Sequence, residues 1–93
     1  MTKSDVLTIM KTDLEISGTG RDTYLNNLID LAETAISREG ITLDNSTEDW
    51  MLVESYAAFL YRKRREDTVA MPRSLRYLLN NRLFSEKARV EVT

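Results

Sequence analysis

Between Asp22 and Ile36 the apolar residues return every three or four positions. Tyr24, Leu25, Leu28, Ile29, Leu31, Ala32, Ala35 and Ile36 cover about 160° of a helical wheel at 100° per residue. Asn26, Asn27, Asp30, Glu33, Thr34 and Ser37 take the other side. A strand alternates its faces every two residues, so this pattern belongs on a helix with one face in a core. Asp22 is the expected cap, and Gly40 is the expected stop.

Three more segments carry the same period. Residues 4–14 place Val6, Ile9, Met10 and Leu14 on one side, with Ser4 as the candidate cap. Ser46 is a strong cap for a helix over 47–66, with Glu48 and Asp49 in its first turn, where carboxylates suit the helix dipole. Trp50, Leu52, Val53, Tyr56, Ala57, Phe59, Leu60 and Tyr61 spread over about 200° of that helix, which marks it as the central one. Pro72 opens the fourth, whose stripe is Leu75, Leu78, Leu79 and Leu83, with Tyr77 and Phe84 nearly opposite. Ser17-Gly18-Thr19-Gly20 follows no strand and reads as a loop rather than a phosphate cradle. Residues 89–93 alternate polar and apolar and read as a loose tail, able to add as a strand to a partner. The expected fold is all-α: one domain over 1–88, a bundle of about four helices around a long central one, with a flexible C-terminal tail at 89–93.

The chain has 93 residues and lacks both His and Cys. Disulfides, thiolate metal sites, Cys nucleophiles and every His-dependent triad are therefore excluded. Glu48/Asp49 and Asp13/Glu15 are carboxylate pairs too close in sequence to converge on one ligand from a helix, and capping and solvation explain them. Ser46 and Ser74 have no base to activate them. No catalytic constellation, cofactor motif or metal site is visible, so a non-enzyme is expected. No apolar run approaches the roughly 20 residues of a membrane span. Met1–Asp5 lacks the basic start and apolar core of a signal peptide, so synthesis in a reducing cytoplasm is expected. A chain this short buries only roughly 60–65% of its unfolded surface, which gives association with partners added weight.

Charge is split along the chain. Residues 1–61 hold four basic against eleven acidic residues, a balance of −7, and residues 62–93 hold nine against four, a balance of +5. Such asymmetry points one end at a negative surface. The run Arg62-Lys63-Arg64-Arg65 has three readings: cations placed at the negative end of a helix dipole, a phosphate or nucleic-acid contact, or a contact with an acidic protein. Tyr77 and Phe84 either meet the rest of the chain or anchor an interface together with the arginines of their helix, Arg73, Arg76 and Arg82.

The order of these segments resembles the head–tail connector (adaptor) family of long-tailed bacteriophages. The resemblance rests on Leu7–Leu14, a loop, then Asp22–Ile29 with Ala32 and Ile36. It continues with the aromatic-rich Ser55–Arg62 and with Met71-Pro72-Arg73-Ser74-Leu75-Arg76-Tyr77-Leu78-Leu79-Asn80-Asn81-Arg82. Met71 stands where many members have Leu. The resemblance spans about residues 5–85 and implies a structural protein of the virion. Such a protein is made in the bacterial host cytoplasm and docks as a ring on the portal after DNA packaging. There it joins the head to the stopper or tail-completion protein. DNA would pass through the channel without specific binding. Isolated copies of such adaptors can be monomeric. Arg73, Arg76, Tyr77, Arg82 and Phe84 are the expected portal contacts. Arg62, Lys63, Arg64 and Arg65 against Asp30 and Glu33 are the expected subunit contacts, with Asn26 and Asn27 on the same neighbour- or lumen-facing side. The alternative is a small helical DNA-binding or DNA-packaging accessory protein, which salt-dependent duplex binding would favour.

Overall fold

Each helix begins and ends where nearby groups satisfy its orphaned backbone amides and carbonyls. The structure is a computed structural model and describes residues 1–66 and 68–92, the last four of these by backbone alone. Helix α1 (Lys3–Asp13) is capped by Thr2 rather than Ser4. Asp5 lies three residues beyond Thr2 and closes a reciprocal box, its carboxylate accepting from the Thr2 amide at 2.8 Å. Ser4 instead lies inside the first turn, where its carbonyl accepts from the Thr8 hydroxyl. At the other end the Ile16 amide reaches the Lys11 carbonyl and the Glu15 amide the Thr12 carbonyl, at 2.8 and 3.2 Å. This is a Schellman closure, and it forces Glu15 to φ 57°.

Helix α2 (Asp22–Arg38) has Arg21 at its cap position with no side-chain cap bond. Asp22, expected as the cap, is the first helical residue, and its carboxylate pairs with Lys11 at 2.8 Å. Gly40 ends the helix at φ 100°, a conformation costly to any residue with a Cβ. Helix α3 (Thr47–Arg65) begins as expected, with the Ser46 hydroxyl accepting from the Asp49 amide at 3.1 Å. Upstream, the Ser46 amide and hydroxyl hold the Asp44 carboxyl down at about 2. Helix α4 (Arg73–Val92) starts one residue after Pro72, whose carbonyl accepts from Arg76 at 3.1 Å. Its backbone stays helical to Val92, through four of the five positions read as a tail. The side chains of 89–92, and Thr93 altogether, lie outside the described residues.

The fold is all-α, and α3 is its axis: α1, α2 and α4 all pack against it, and α1 also touches α2. The core joins Val6 and Met10 of α1 with Leu25, Leu28, Ile29, Ala32 and Ile36 of α2. Ile41 from the α2–α3 linker, Leu52, Val53, Ala57, Phe59 and Tyr61 of α3, and Leu75 and Leu79 of α4 complete it. Three residues of the expected apolar stripes are exposed: Tyr24 (36%), Leu31 (52%) and Leu78 (44%). Each sits at the edge of its stripe, where a neighbouring helix covers it only in part; Tyr24 still meets the Tyr61 ring of α3, with centroids 6.2 Å apart. With α4 about 30 Å long and packed mainly through its first half, the molecule extends to 46 × 30 × 18 Å. Among the described residues no helix is long and apolar enough to cross a membrane.

Candidate functional site

Helix α4 presents two opposed faces. The inner one carries Leu75, Leu79 and Arg82, all less than 5% exposed. Arg82 was expected at a partner surface, and the structure corrects this. Its Nε donates to Asp49 Oδ1 at 2.8 Å and its Nη2 to Asp49 Oδ2 at 3.2 Å. The Thr42 carbonyl and Glu86 Oε2 take further bonds at 2.7 and 3.0 Å. Four of its five N–H donors are taken inside the chain and the side chain is buried, so it presents no surface to a portal. Asp49, the principal acceptor, raises its pKa further. Asp49 is likewise not solvated, as its position in a first turn suggests, but is 2% exposed, and it also accepts from the Asp44 amide at 2.9 Å.

The outer face of α4 carries three of the other four residues expected at a partner surface. Arg73, Tyr77 and Phe84 fall within about 40° of one another around the helix. Phe84 is 76% exposed and Tyr77 67%. Arg73 is exposed with no ion pair among the described residues, whereas Arg76 turns aside to Glu39 at 2.9 Å. The stripe that remains is one cation and two aromatic rings along about three turns, the composition enriched where proteins meet.

The basic run at the end of α3 is exposed, but three of its members lie over the molecule's own aromatic rings. Lys63 stands 5.7 Å from the Phe59 centroid, Arg64 5.8 Å from Tyr24 and Arg65 5.7 Å from Tyr61. These contacts cover apolar surface and set the cations in place. Asp30 pairs with Lys3 and Glu33 is half-buried, both further along α2. Tyr24, beneath Arg64, precedes Glu33 by nine residues, about 14 Å of helix. Asp30 at the middle of α2 and Glu33 one turn further on are thus set apart from the basic run, and no ion pair joins the two groups among the described residues. Asn26 is half-buried and Asn27 exposed beside them.

One buried carboxyl escaped the sequence reading. Glu54, on the inner side of α3, is 3% exposed, and its Oε1 has no hydrogen-bond partner. Burial first, and then the Asp13 carboxyl at the end of α1, push it up to about 7, against an opposing pull from Arg62. Its only sequence signal was a Glu on the apolar arc of α3, three turns from Arg65. Comparison of the chain with family models, curated proteins and solved structures returns no match.

Proposed function

We propose that this chain is a structural head–tail connector of a long-tailed bacteriophage or prophage. It docks as a ring on the portal after DNA packaging and joins the head to the stopper or tail. The observation that carries the reading is the solvent-facing Arg73–Tyr77–Phe84 stripe on α4. Large aromatics left outside the core of so small a chain are unfavourable in water unless a partner covers them. The resemblance of helix order and packing residues to the connector family supplies the partner. The separation of Arg62–Arg65 from Asp30 and Glu33, which form no ion pair with one another among the described residues, supports head-to-tail contacts between copies, because heterologous contacts that rotate by a fixed angle close into rings.

Co-sedimentation with portal rings of the parent phage, at physiological salt and with duplex DNA as competitor, tests this. Saturable binding at a stoichiometry set by portal symmetry is the expected result. Failure to bind the ring, together with salt-sensitive duplex binding, would replace it with a DNA-packaging accessory role. Glutamate substitutions at Arg62, Lys63, Arg64 and Arg65 are expected to abolish assembly on the ring, and undiminished assembly would remove those residues from the subunit contact.

A further inference from the structure

At the end of the bundle away from the α3 N-terminus, the Tyr61 hydroxyl accepts hydrogen bonds from two guanidiniums at once. Arg21 Nη1 donates from the start of α2, and Arg65 Nη1 donates from the last turn of α3 at 3.0 Å. Two nitrogens bonded to one oxygen lie within about 6 Å of each other. Among the described residues neither guanidinium has a carboxylate oxygen within 4 Å, unlike Arg76 and Arg82, which are paired. Like charges gathered this closely on a neutral acceptor attract an anion. The phenol adds a further donor. Both of its lone pairs are used, and its own proton has no acceptor among the described residues. Tyr61 is 7% exposed, held by Tyr24 with ring centroids 6.2 Å apart, so these groups are set in place before any ligand arrives.

The three residues open onto a surface depression that Arg62, Asp13 and Glu15 also line. Those two carboxylates decide between anion sources. A duplex carries one phosphate charge per about 1.7 Å of axis and would force several phosphates against them. One carboxylate on a segment otherwise neutral or basic seats between the guanidiniums and leaves Asp13 and Glu15 unopposed or paired. We propose that Arg21, Tyr61 and Arg65 form a receptor for a single Asp or Glu side chain of a partner protein. The site is separate from the α4 stripe, and although Arg65 also belongs to the subunit contact proposed above, Arg21 and Tyr61 do not, so the site stands without the portal reading.

The test titrates the full chain, followed by NMR of the arginine side chains and the Tyr61 ring, with a blocked pentapeptide bearing one central Glu. Its Gln counterpart, inorganic phosphate and a 20-base-pair duplex are the other arms. The Glu peptide is expected to shift Arg21, Arg65 and Tyr61 saturably, with Kd of about 1 mM or tighter, and the Gln peptide is not. Tyr61→Phe, which keeps the buried ring, is expected to weaken binding roughly tenfold through loss of one donor. Arg21→Gln, at an exposed position, is expected to weaken it at least as much with the fold intact. Stronger binding of phosphate or duplex than of the Glu peptide at these resonances would overturn the carboxylate assignment. No shift with any probe, or undiminished binding by Arg21→Gln, would overturn the site itself.

Discussion

Two residues adopt states their type disfavours, and each makes a measurable prediction. Glu15 holds φ 57° to complete the closure of α1. A side chain in that region is strained by its Cβ, and glycine is the usual occupant. Glu15→Gly is therefore expected to stabilise the chain by about 0.5–1 kcal/mol, read as a rise in urea midpoint with unchanged slope. Glu54 is the opposite case, a carboxyl whose burial raises it to about 7 from an ordinary value near 4.5. The native chain keeps a proton there that the unfolded chain releases. Stability contributed by this group is thus intact below about pH 4.5, falls as pH rises towards 7, and stays lost above it. Glu54→Gln, which keeps the shape and removes the charge, is expected to gain roughly 2–3 kcal/mol over the native chain at pH 8 and little at pH 4.5. Equal gains at both pH values would show that Glu54 is not held protonated.

At the level of the elements, α4 is fastened by polar chemistry as much as by its apolar stripe. Leu75 and Leu79 bury themselves against α3, and Arg82 ties the helix to Asp49, at the start of α3, and to the Thr42 carbonyl before it. A buried ion pair adds little over a well-packed apolar pair, but breaking it strands a charge. Arg82→Ala is expected to cost about 3–5 kcal/mol, a large share of the roughly 5–10 kcal/mol that a chain of this length holds. Replacing both partners, Arg82→Leu with Asp49→Leu, is expected to recover most of the loss in thermal or urea unfolding. A double variant as unstable as Arg82→Ala would place the cost in geometry rather than in the stranded carboxylate. Because Thr42 lies in the α2–α3 linker, the same variant is expected to loosen that linker, seen as faster amide exchange at residues 42–45.

For the whole molecule, the face of α4 that stabilises the fold and the face proposed for a partner lie on opposite sides of the helix. Tyr77 and Phe84 contribute almost nothing to the core, so the double variant Tyr77→Ala/Phe84→Ala is expected to change unfolding free energy by less than about 0.5 kcal/mol. Under the connector reading the same variant is expected to weaken portal binding at least about 30-fold, since exposed aromatics at an interface centre carry much of its energy. A melting curve and a co-sedimentation series on one preparation decide it. Undiminished portal binding would move the docking surface off α4.

Local chemistry is legible wherever a feature rests on neighbours in the chain. The helical period of α2, the Ser46 cap, the Gly40 stop, Pro72 ahead of α4 and the breadth of apolar residues on α3 each depend on residues a few positions apart. These determined four helices and their axis without any tertiary information. Local errors are shifts of one or two residues at a cap (Thr2 for Ser4, Arg21 for Asp22) and helical backbone carried into 89–92. The larger errors fall where distance along the chain no longer matters. Asp49 and Arg82 are 33 residues apart, and a first-turn carboxylate and a helix-surface arginine look alike whether they face water or each other. Glu54 meets Asp13 only because α1 folds back on α3, and Tyr61 meets Arg21 only because α2 runs beside it. Tyr24, Leu31 and Leu78 belong to apolar stripes by period, but they lie at the stripe edges, where packing leaves them exposed. The sequence by itself therefore determined which segments are helices and which of them is central. Only the tertiary structure decided which charges are buried, which are paired and which remain for a partner, because burial and pairing depend on what another element brings to the same point in space.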